Sequence, residues 1–182
     1  MSLLSLRVPA LPDRFAETEL LIAFSDLTAY TVTARRLSPH DVAALMEAFY
    51  ERTHALIEPA GGRIVKFIGD AALIVFPAER AGDGVLALLH YKRELDGWLA
   101  SVGYPGRLTV KAHFGRAVAG EFGPPHARRY DLLGDDVNTT ARLESHGFAI
   151  SAQAFRTLSA EGRKHFKKHT PPITYIPLEQ QH

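Results

Sequence analysis

Short apolar runs alternate with longer amphipathic segments along the chain, and the two patterns predict strands and helices in turn. Residues 20–27 (LLIAFSDL) form an apolar run of strand length. A helix is predicted to begin at Pro39 with Ser38 as its N-cap, because apolar residues then recur every three or four positions. Pro59 and the glycine pair that follows it are predicted to end this helix.

The rest of the chain continues the alternation. Residues 64–68 and 71–76 are predicted to be strands of a hairpin around Gly69-Asp70, and residues 82–102 a second amphipathic helix. The later segments are predicted as a strand over 107–122, a strand over 130–133, a helix from Gly134 to about Ser145, a strand over 148–151, a helix over 152–164 and a strand over 173–178.

This order indicates the fold class. The succession β-α-β-β-α-β is typical of a ferredoxin-like α+β core, here with a C-terminal extension. Residues 1–18 contain two prolines and no sustained periodicity, so we interpret them as an N-terminal lead-in. Residues 19–182 are then interpreted as one domain, which agrees with a length of 182 residues.

Composition excludes several classes of function. The chain has 21 Lys plus Arg and 20 Asp plus Glu, a net charge of +1, which argues against a polynucleotide partner. It has no cysteine, which excludes disulfides, thiolate zinc sites and cysteine nucleophiles. No apolar run has the length of a membrane span, and the N-terminus is a poor secretory signal. We therefore expect a cytoplasmic protein without membrane contact.

Two carboxylates are candidates for metal binding. Asp26 lies at the end of the first predicted strand and Asp70 at the tip of the hairpin, and neighbouring strands would bring them to one edge. Paired carboxylates suit Mg²⁺ or Mn²⁺, and two such ions can hold a polyphosphate and activate a hydroxyl. Aspartate is also common in turns, so a purely structural role for each residue alone stays open.

Two further segments carry groups that suit a nucleotide. The turn Thr28–Thr31 leads into a helix N-terminus, where backbone N–H groups can bind phosphate. Asn138 and Arg142 are four residues apart in the predicted third helix and so share one face. An amide and a guanidinium on one face can hold a sugar and a phosphate, although an ordinary exposed helix face would look the same.

Four segments together resemble a known family: FSDLTAYT, GGRIVKFIGDAALIVF, HFGRAVAGEFG and YDLLGDDVNTTARLES. They resemble the catalytic domain of the class III adenylate and guanylate cyclases, over about residues 19 to 160. Four motifs in the same order are more specific than any one alone. Polymerase palms and diguanylate cyclase domains also pair carboxylates on similar strands, but they have no role for the set Asp131, Asn138 and Arg142.

The resemblance implies a role for each matching residue. Asp26 and Asp70 match the metal-binding aspartates, with the Leu27 carbonyl as a further ligand of two Mg²⁺ or Mn²⁺ ions per site. Lys66 and Asp131 match the residues that read adenine in this family. Guanylate cyclases of the family have glutamate and cysteine at these two positions instead. The remaining matches are Asn138 for the ribose, Arg142 for charge on the transferred phosphoryl group, Arg116 for the triphosphate, and the phosphate-binding turn residues Ala29, Tyr30 and Thr31.

The implied function is an adenylate cyclase that converts ATP into cyclic AMP and pyrophosphate. The family's sites lie at a homodimer interface with two-fold symmetry, where one protomer supplies the aspartates and the other the Lys, Asp, Asn and Arg. Two alternatives are a guanylate cyclase and a non-catalytic nucleotide-binding or regulatory module, the latter because Ala29 stands where the family commonly has glycine. We expect regulation by an unidentified partner, by a ligand or by protein concentration. The alternative is that the chain is part of a longer protein.

Overall fold

One mixed β-sheet organises the fold in a computed structural model that describes residues 13–170 and 172–180. Its strands are β1 (Phe15–Leu27), β2 (Arg63–Ile68), β3 (Ala71–Pro77), β4 (Leu108–Phe122), β5 (Arg129–Leu133), β6 (Phe148–Ile150), β7 (Phe166–His169) and β8 (Thr174–Pro177). The order across the sheet is β2-β3-β1-β4-β6-β8-β7, and β5 pairs with β4 beside this path. The helices are α1 (Tyr30–Ala34), α2 (Pro39–Ile57), α3 (Ala81–Ser101), α4 (Asp135–Arg142), α5 (Ala152–Thr157) and α6 (Ala160–Arg163).

The predicted α+β core is confirmed as β1-α2-β2-β3-α3-β4. The α2 helix begins where the sequence predicts, because the Ser38 Oγ accepts a hydrogen bond from the Asp41 N–H at 3.1 Å. The apolar stripes of α2 and α3 pack with alternate residues of β1, including Leu21 and Ala23, in the main hydrophobic core. This packing buries most of β3 and the middle of β1.

A second, smaller core lies on the opposite face of the sheet. Leu20 and Ile22 of β1 pack there with Leu132 of β5, and Val137 of α4 covers part of the cluster. The C-terminal part of β4 pairs with β5, which lies near β2. The Arg63 guanidinium of β2 lies 3.7 Å from the centre of the Tyr130 ring of β5. The opposite face is therefore covered by the elements that carry the base-reading and ribose-binding candidates.

Several predicted boundaries are corrected by the structure. The strand predicted from Leu20 begins at Phe15, whose ring lies 4.5 Å from that of Phe122. The helix predicted to reach Ser145 ends at Arg142, because the backbone turns extended at Leu143 (ψ 131°). Residues 1–12 of the predicted lead-in lie outside the described residues.

The helix predicted over 152–164 is two short helices instead. The Ser159 Oγ accepts the Gly162 N–H at 3.0 Å and so begins α6 as a separate helix. The β7 strand, which the sequence pattern did not predict, pairs antiparallel with β8 at the edge of the sheet. In the part of the chain that the structure describes, no helix combines the length and the apolar content that crossing a bilayer requires.

Candidate active site

The two candidate metal-binding carboxylates lie side by side. Asp26 pairs with Ala71 across β1 and β3, and the hairpin turn at Gly69 (φ 61°) places Asp70 directly before that pair. Burial, the charge of Asp70 and a hydrogen bond with Asp70 together raise the pKa of Asp26 to about 6, against the lowering effect of the Lys111 ammonium. Two carboxyl groups that disfavour each other's ionisation are a site where a cation is favourable.

The donor set fits a hard cation that keeps ligands from water or phosphate. Within residues 13–170 and 172–180, no cluster of three or more His, Asp or Glu side chains is arranged to hold a metal ion. Asp26 and Asp70 would therefore supply one or two oxygen ligands each, and the other positions would be filled by backbone, water and substrate. This is the coordination that Mg²⁺ usually shows in phosphate-handling sites.

Two tyrosines hold the turns that carry these carboxylates. The Tyr50 hydroxyl donates to the Gly69 carbonyl at 2.7 Å, and its ring stacks on Phe67 with centroids 4.0 Å apart. The Tyr104 hydroxyl donates to the Thr28 carbonyl at 2.9 Å. The backbone on each side of the carboxylate pair is thus fixed by a side chain from another element.

The phosphate-turn candidates begin the short helix α1. Ala29 is the only residue other than glycine with a positive φ, 63°, in the described part of the chain. Its carbonyl accepts the Thr33 N–H at 3.0 Å and the Thr33 hydroxyl at 2.9 Å, and Tyr30 and Thr31 form the first turn. The left-handed conformation favours glycine, so the methyl group of Ala29 strains this turn.

The two base-reading candidates form an ion pair. Lys66 Nζ lies 2.6 Å from Asp131 Oδ2, and the exposed fractions of the two side chains are 41% and 26%. The other carboxylate oxygen, Oδ1, accepts the Leu132 N–H at 2.8 Å. A register irregularity between Ile64 and Lys66 shapes β2 at this point. The pair is partly open to solvent and able to contact a ligand.

Asn138 and Arg142 share the exposed face of α4, as their spacing predicts. Arg142 Nη2 lies 3.7 Å from Asp135 Oδ1, and both side chains are largely exposed. Arg116, the triphosphate candidate, lies on β4 opposite Glu19, with its Nε 3.5 Å from a Glu19 carboxylate oxygen. Along β4 it is well removed from Thr109, the partner of Asp26, so the structure does not bring Arg116 to the carboxylate pair of the same chain.

A cleft of about 550 Å³ lies between Asp26 and the C-terminal end of α4. Lys111 lines it, and its ammonium donates to the carbonyl of Ala141 while it faces Asp26. Sequence reasoning missed Lys111, because β4 also carries His113, Arg116 and Glu121 and no local pattern separates Lys111 from them. Among residues 13–170 and 172–180, the Asp26–Asp70 pair makes no hydrogen bond or ion pair with Lys66 or Asp131.

Comparison with known proteins identifies the family of this chain. The family model described as "Adenylate and Guanylate cyclase catalytic domain" matches residues 16–171. The chain belongs to this cyclase family. The predicted resemblance and the predicted fold class are therefore both confirmed.

Relatives of this cyclase domain include both activities. It is 34% identical over 134 residues to receptor-type guanylate cyclase gcy-13 of Caenorhabditis elegans, covering 69% of this chain and 13% of that protein. It is 26% identical over 135 residues to Adenylate cyclase 1 of Rhizobium meliloti, covering 69% and 20%. The chain thus spans only a small part of these relatives, and family membership supports a cyclase reaction without choosing between ATP and GTP.

A solved structure shares the fold. The adenylyl cyclase CyaB from P. aeruginosa superposes with a TM-score of 0.79 at 17% identity, covering 92% of this chain and 97% of that one. At this level of identity the likeness concerns the architecture of the cyclase domain. The choice of substrate has to be argued from the side chains of this chain.

Proposed function

We propose that this cyclase domain converts ATP into cyclic AMP and pyrophosphate. The observation that carries the proposal is the Lys66–Asp131 pair, whose Nζ and Oδ2 atoms lie 2.6 Å apart. Adenine presents an N6 amino donor beside an N1 acceptor. A carboxylate that accepts and an ammonium that donates, held next to each other, complement that edge. Guanine presents the reverse arrangement, an O6 acceptor beside an N1–H donor.

The state of Asp131 supports this assignment. Its Oδ1 is held by the Leu132 N–H at 2.8 Å, which fixes the carboxylate on β5. The ammonium of Lys66 lies against Oδ2, so that the donor and the acceptor are held next to each other. A base that enters beside the pair would meet an acceptor and a donor already oriented, so little reorganisation is needed.

Asp26 and Asp70 would hold two Mg²⁺ or Mn²⁺ ions, with the Leu27 carbonyl as a further ligand. When bound, these ions lower the pKa of the ribose 3′-hydroxyl and neutralise charge on the triphosphate. The N–H groups at Ala29, Tyr30 and Thr31 would bind phosphate oxygens at the start of α1.

Asn138 would orient the ribose, while Arg142, and Arg116 from the surface of β4, would pair with phosphate oxygens. The 3′-hydroxyl would then release its proton to solvent and form a bond from its oxygen to the α-phosphorus, while the bond from that phosphorus to the pyrophosphate oxygen breaks and pyrophosphate leaves. Positioning and electrostatic stabilisation by these side chains would supply most of the rate.

A two-fold homodimer would complete each site. Within one chain the carboxylate pair makes no hydrogen bond or ion pair with the Lys66–Asp131 pair in the described residues, and Asn138 and Arg142 face solvent. A second copy would place its α4 face and its base-reading pair opposite Asp26 and Asp70. The cysteine-free sequence fits a reducing compartment, and the cytoplasm is the proposed location.

The test is a product assay with purified protein, Mn²⁺ and either ATP or GTP, over a range of protein concentrations. We expect cyclic AMP, a kcat/KM for ATP at least about tenfold above that for GTP, and specific activity that rises with concentration. Asp26→Asn is the matched inactive control because it keeps the shape of the side chain. Preference for GTP would overturn the choice of substrate, and full activity of Asp26→Asn would overturn the site.

One observation favours a second candidate function. The strained Ala29 lies where backbone N–H groups would approach phosphate, which suits a non-catalytic module that binds nucleotide without turning it over. Calorimetric binding of ATP with Mn²⁺, together with no cyclic AMP at high protein concentration, would support this candidate over the enzyme.

A further inference from the structure

The α4 helix cannot hold its position by itself. It has eight residues, Gly134 at its N-cap provides no side-chain hydrogen bond, and Thr140 is its one buried residue. Helices this short are marginal in water without tertiary contacts. Something outside α4 must therefore fix Asn138 and Arg142 in space.

Asp136 joins the first turn of α4 to β4. Its Oδ2 accepts the backbone N–H of Arg116 at 2.7 Å, and its Oδ1 lies 3.2 Å from Nε2 of His113. The approach is close, since a Cβ added at Gly115 would come within 2.3 Å of Asp136 Oδ2. One side chain thus pairs with two neighbouring positions of the sheet.

His113 is fixed from its other side as well. The residue is 4% exposed, and its Nδ1 lies 2.9 Å from Ser151 Oγ, which accepts the Ala154 N–H at 3.2 Å as the N-cap of α5. A carboxylate only accepts, so Nε2 donates a proton toward Asp136, while Nδ1 pairs with the Ser151 hydroxyl, which can either donate or accept. Every polar atom in this chain of contacts is then satisfied.

We propose that Asp136 and His113 are positioning residues that set the place of α4 on β4, and with it Asn138 and Arg142. The catalytic part of this inference rests on the proposed function. Neither residue touches substrate in this scheme, and both act through the helix. Because a displacement of about 1 Å at a reacting group can cost about 10²-fold in rate, loosening α4 should lower kcat more than substrate binding.

Asp135 offers a matched comparison. It lies in the same first turn and carries the same charge toward the helix N-terminus, but its side chain is 90% exposed and, within the described part of the chain, pairs with Arg142 alone, at 3.7 Å. If Asp136 acted only through the helix dipole, Asp135→Asn and Asp136→Asn would have equal and small effects. The contacts to β4 are what distinguish the two residues.

The experiment compares Asp136→Ala, Asp136→Asn and Asp135→Asn in the full chain by steady-state kinetics with ATP and by hydrogen exchange of the 135–143 segment. Asp136→Ala should exchange about tenfold faster in that segment and lose about 10 to 100-fold in kcat, with KM within about threefold. Asp136→Asn can accept from the Arg116 N–H and donate to Nε2 of His113, because the ring can carry its proton on Nδ1 instead and donate it to Ser151 Oγ. Both readouts should therefore stay within about threefold. Asp135→Asn should stay within about twofold.

A second pair of variants tests His113. A glutamine amide can occupy the place of Nε2 and an asparagine amide that of Nδ1, so His113→Gln should keep α4 protected. His113→Asn should loosen α4, but less than Asp136→Ala, because the Arg116 N–H still donates to Asp136. Unchanged exchange of α4 in Asp136→Ala, or equal losses in Asp136→Ala and Asp136→Asn with a matching fall in Tm, would overturn the proposal. If the parent chain makes no cyclic nucleotide, the proposed function fails, while faster exchange in Asp136→Ala still supports the positioning role.

Discussion

Replacing Ala29 by glycine should stabilise the domain. Ala29 has a φ of 63°, is exposed, and its carbonyl accepts both hydrogen bonds from Thr33. Glycine keeps that carbonyl and removes the clash of Cβ in the left-handed conformation. The substitution therefore relieves strain at the turn without removing a contact.

The magnitude follows from two opposing contributions. The left-handed conformation destabilises a folded residue that has a Cβ by about 1–2 kcal/mol, and Ala29→Gly removes this cost. The greater freedom of glycine in the unfolded chain lowers the stability of the variant by about 0.4–1 kcal/mol. The net gain in the free energy of unfolding is then about 0.5–1 kcal/mol. For a domain of this size that corresponds to a rise in Tm of about 1–4 °C.

The assay is thermal unfolding of the metal-free protein beside a control glycine. Ala44 is exposed within α2, and Ala44→Gly should lower the free energy of unfolding by about 1 kcal/mol, the opposite sign. The kcat/KM for ATP should also rise in Ala29→Gly, because the backbone can approach phosphate more closely. A fall in Tm for Ala29→Gly as large as that for Ala44→Gly would refute the strain argument.

Three further predictions concern the remaining site. The raised pKa of Asp26, about 6, means that folding favours its protonated form, so Asp26 should contribute a fall in metal-free stability as pH rises from its ordinary pKa of 3.8 through about 6. Thermal scans of parent and Asp26→Asn should show this fall in the parent alone, and an equal slope in both would contradict the assignment. Lys66→Glu combined with Asp131→Cys should lower kcat/KM for ATP relative to GTP, measured as the ratio of cyclic AMP to cyclic GMP. Tyr50→Phe removes the hydrogen bond to the Gly69 carbonyl and should cost about 1 kcal/mol of stability. It should also raise the Mn²⁺ concentration that gives half-maximal activity. An unchanged Mn²⁺ dependence would show that other contacts hold the hairpin tip.

Local patterns were enough to predict the elements that carry most of the fold. The Ser38 cap, the α2 stripe and the turn at Gly69 are read from neighbouring residues, because caps and hairpins are local. The β7 strand was missed, since FKKH has little apolar alternation and its pairing with β8 is a tertiary effect. The break at Leu158 was also missed, although Ser159 carries an N-cap signal.

The residues of the candidate site also divide into those that local patterns predict and those whose positions depend on tertiary contacts. Asp26 and Asp70 meet because strand ends and a hairpin place them, and the sequence is sufficient for that prediction. Lys66 and Asp131 are distant along the chain, and only the family resemblance paired them before the structure did. The contacts of Lys111 and His113 depend on how α4 lies on β4, which no periodicity along the chain describes.

The pairing of β5 with the far end of β4 determines whether Asp131 can contact Lys66. Asp131 faces Lys66 because β5 pairs with the far end of β4 in a register that sets Asp131 opposite Gly120. Side chains alternate between the faces of a strand, so a slip of one residue in this pairing would turn Asp131 away from Lys66. Under the proposed function, the length of the 123–128 loop would therefore contribute to the choice of substrate. A domain with every base-reading residue intact could still lose its preference through a single inserted residue there.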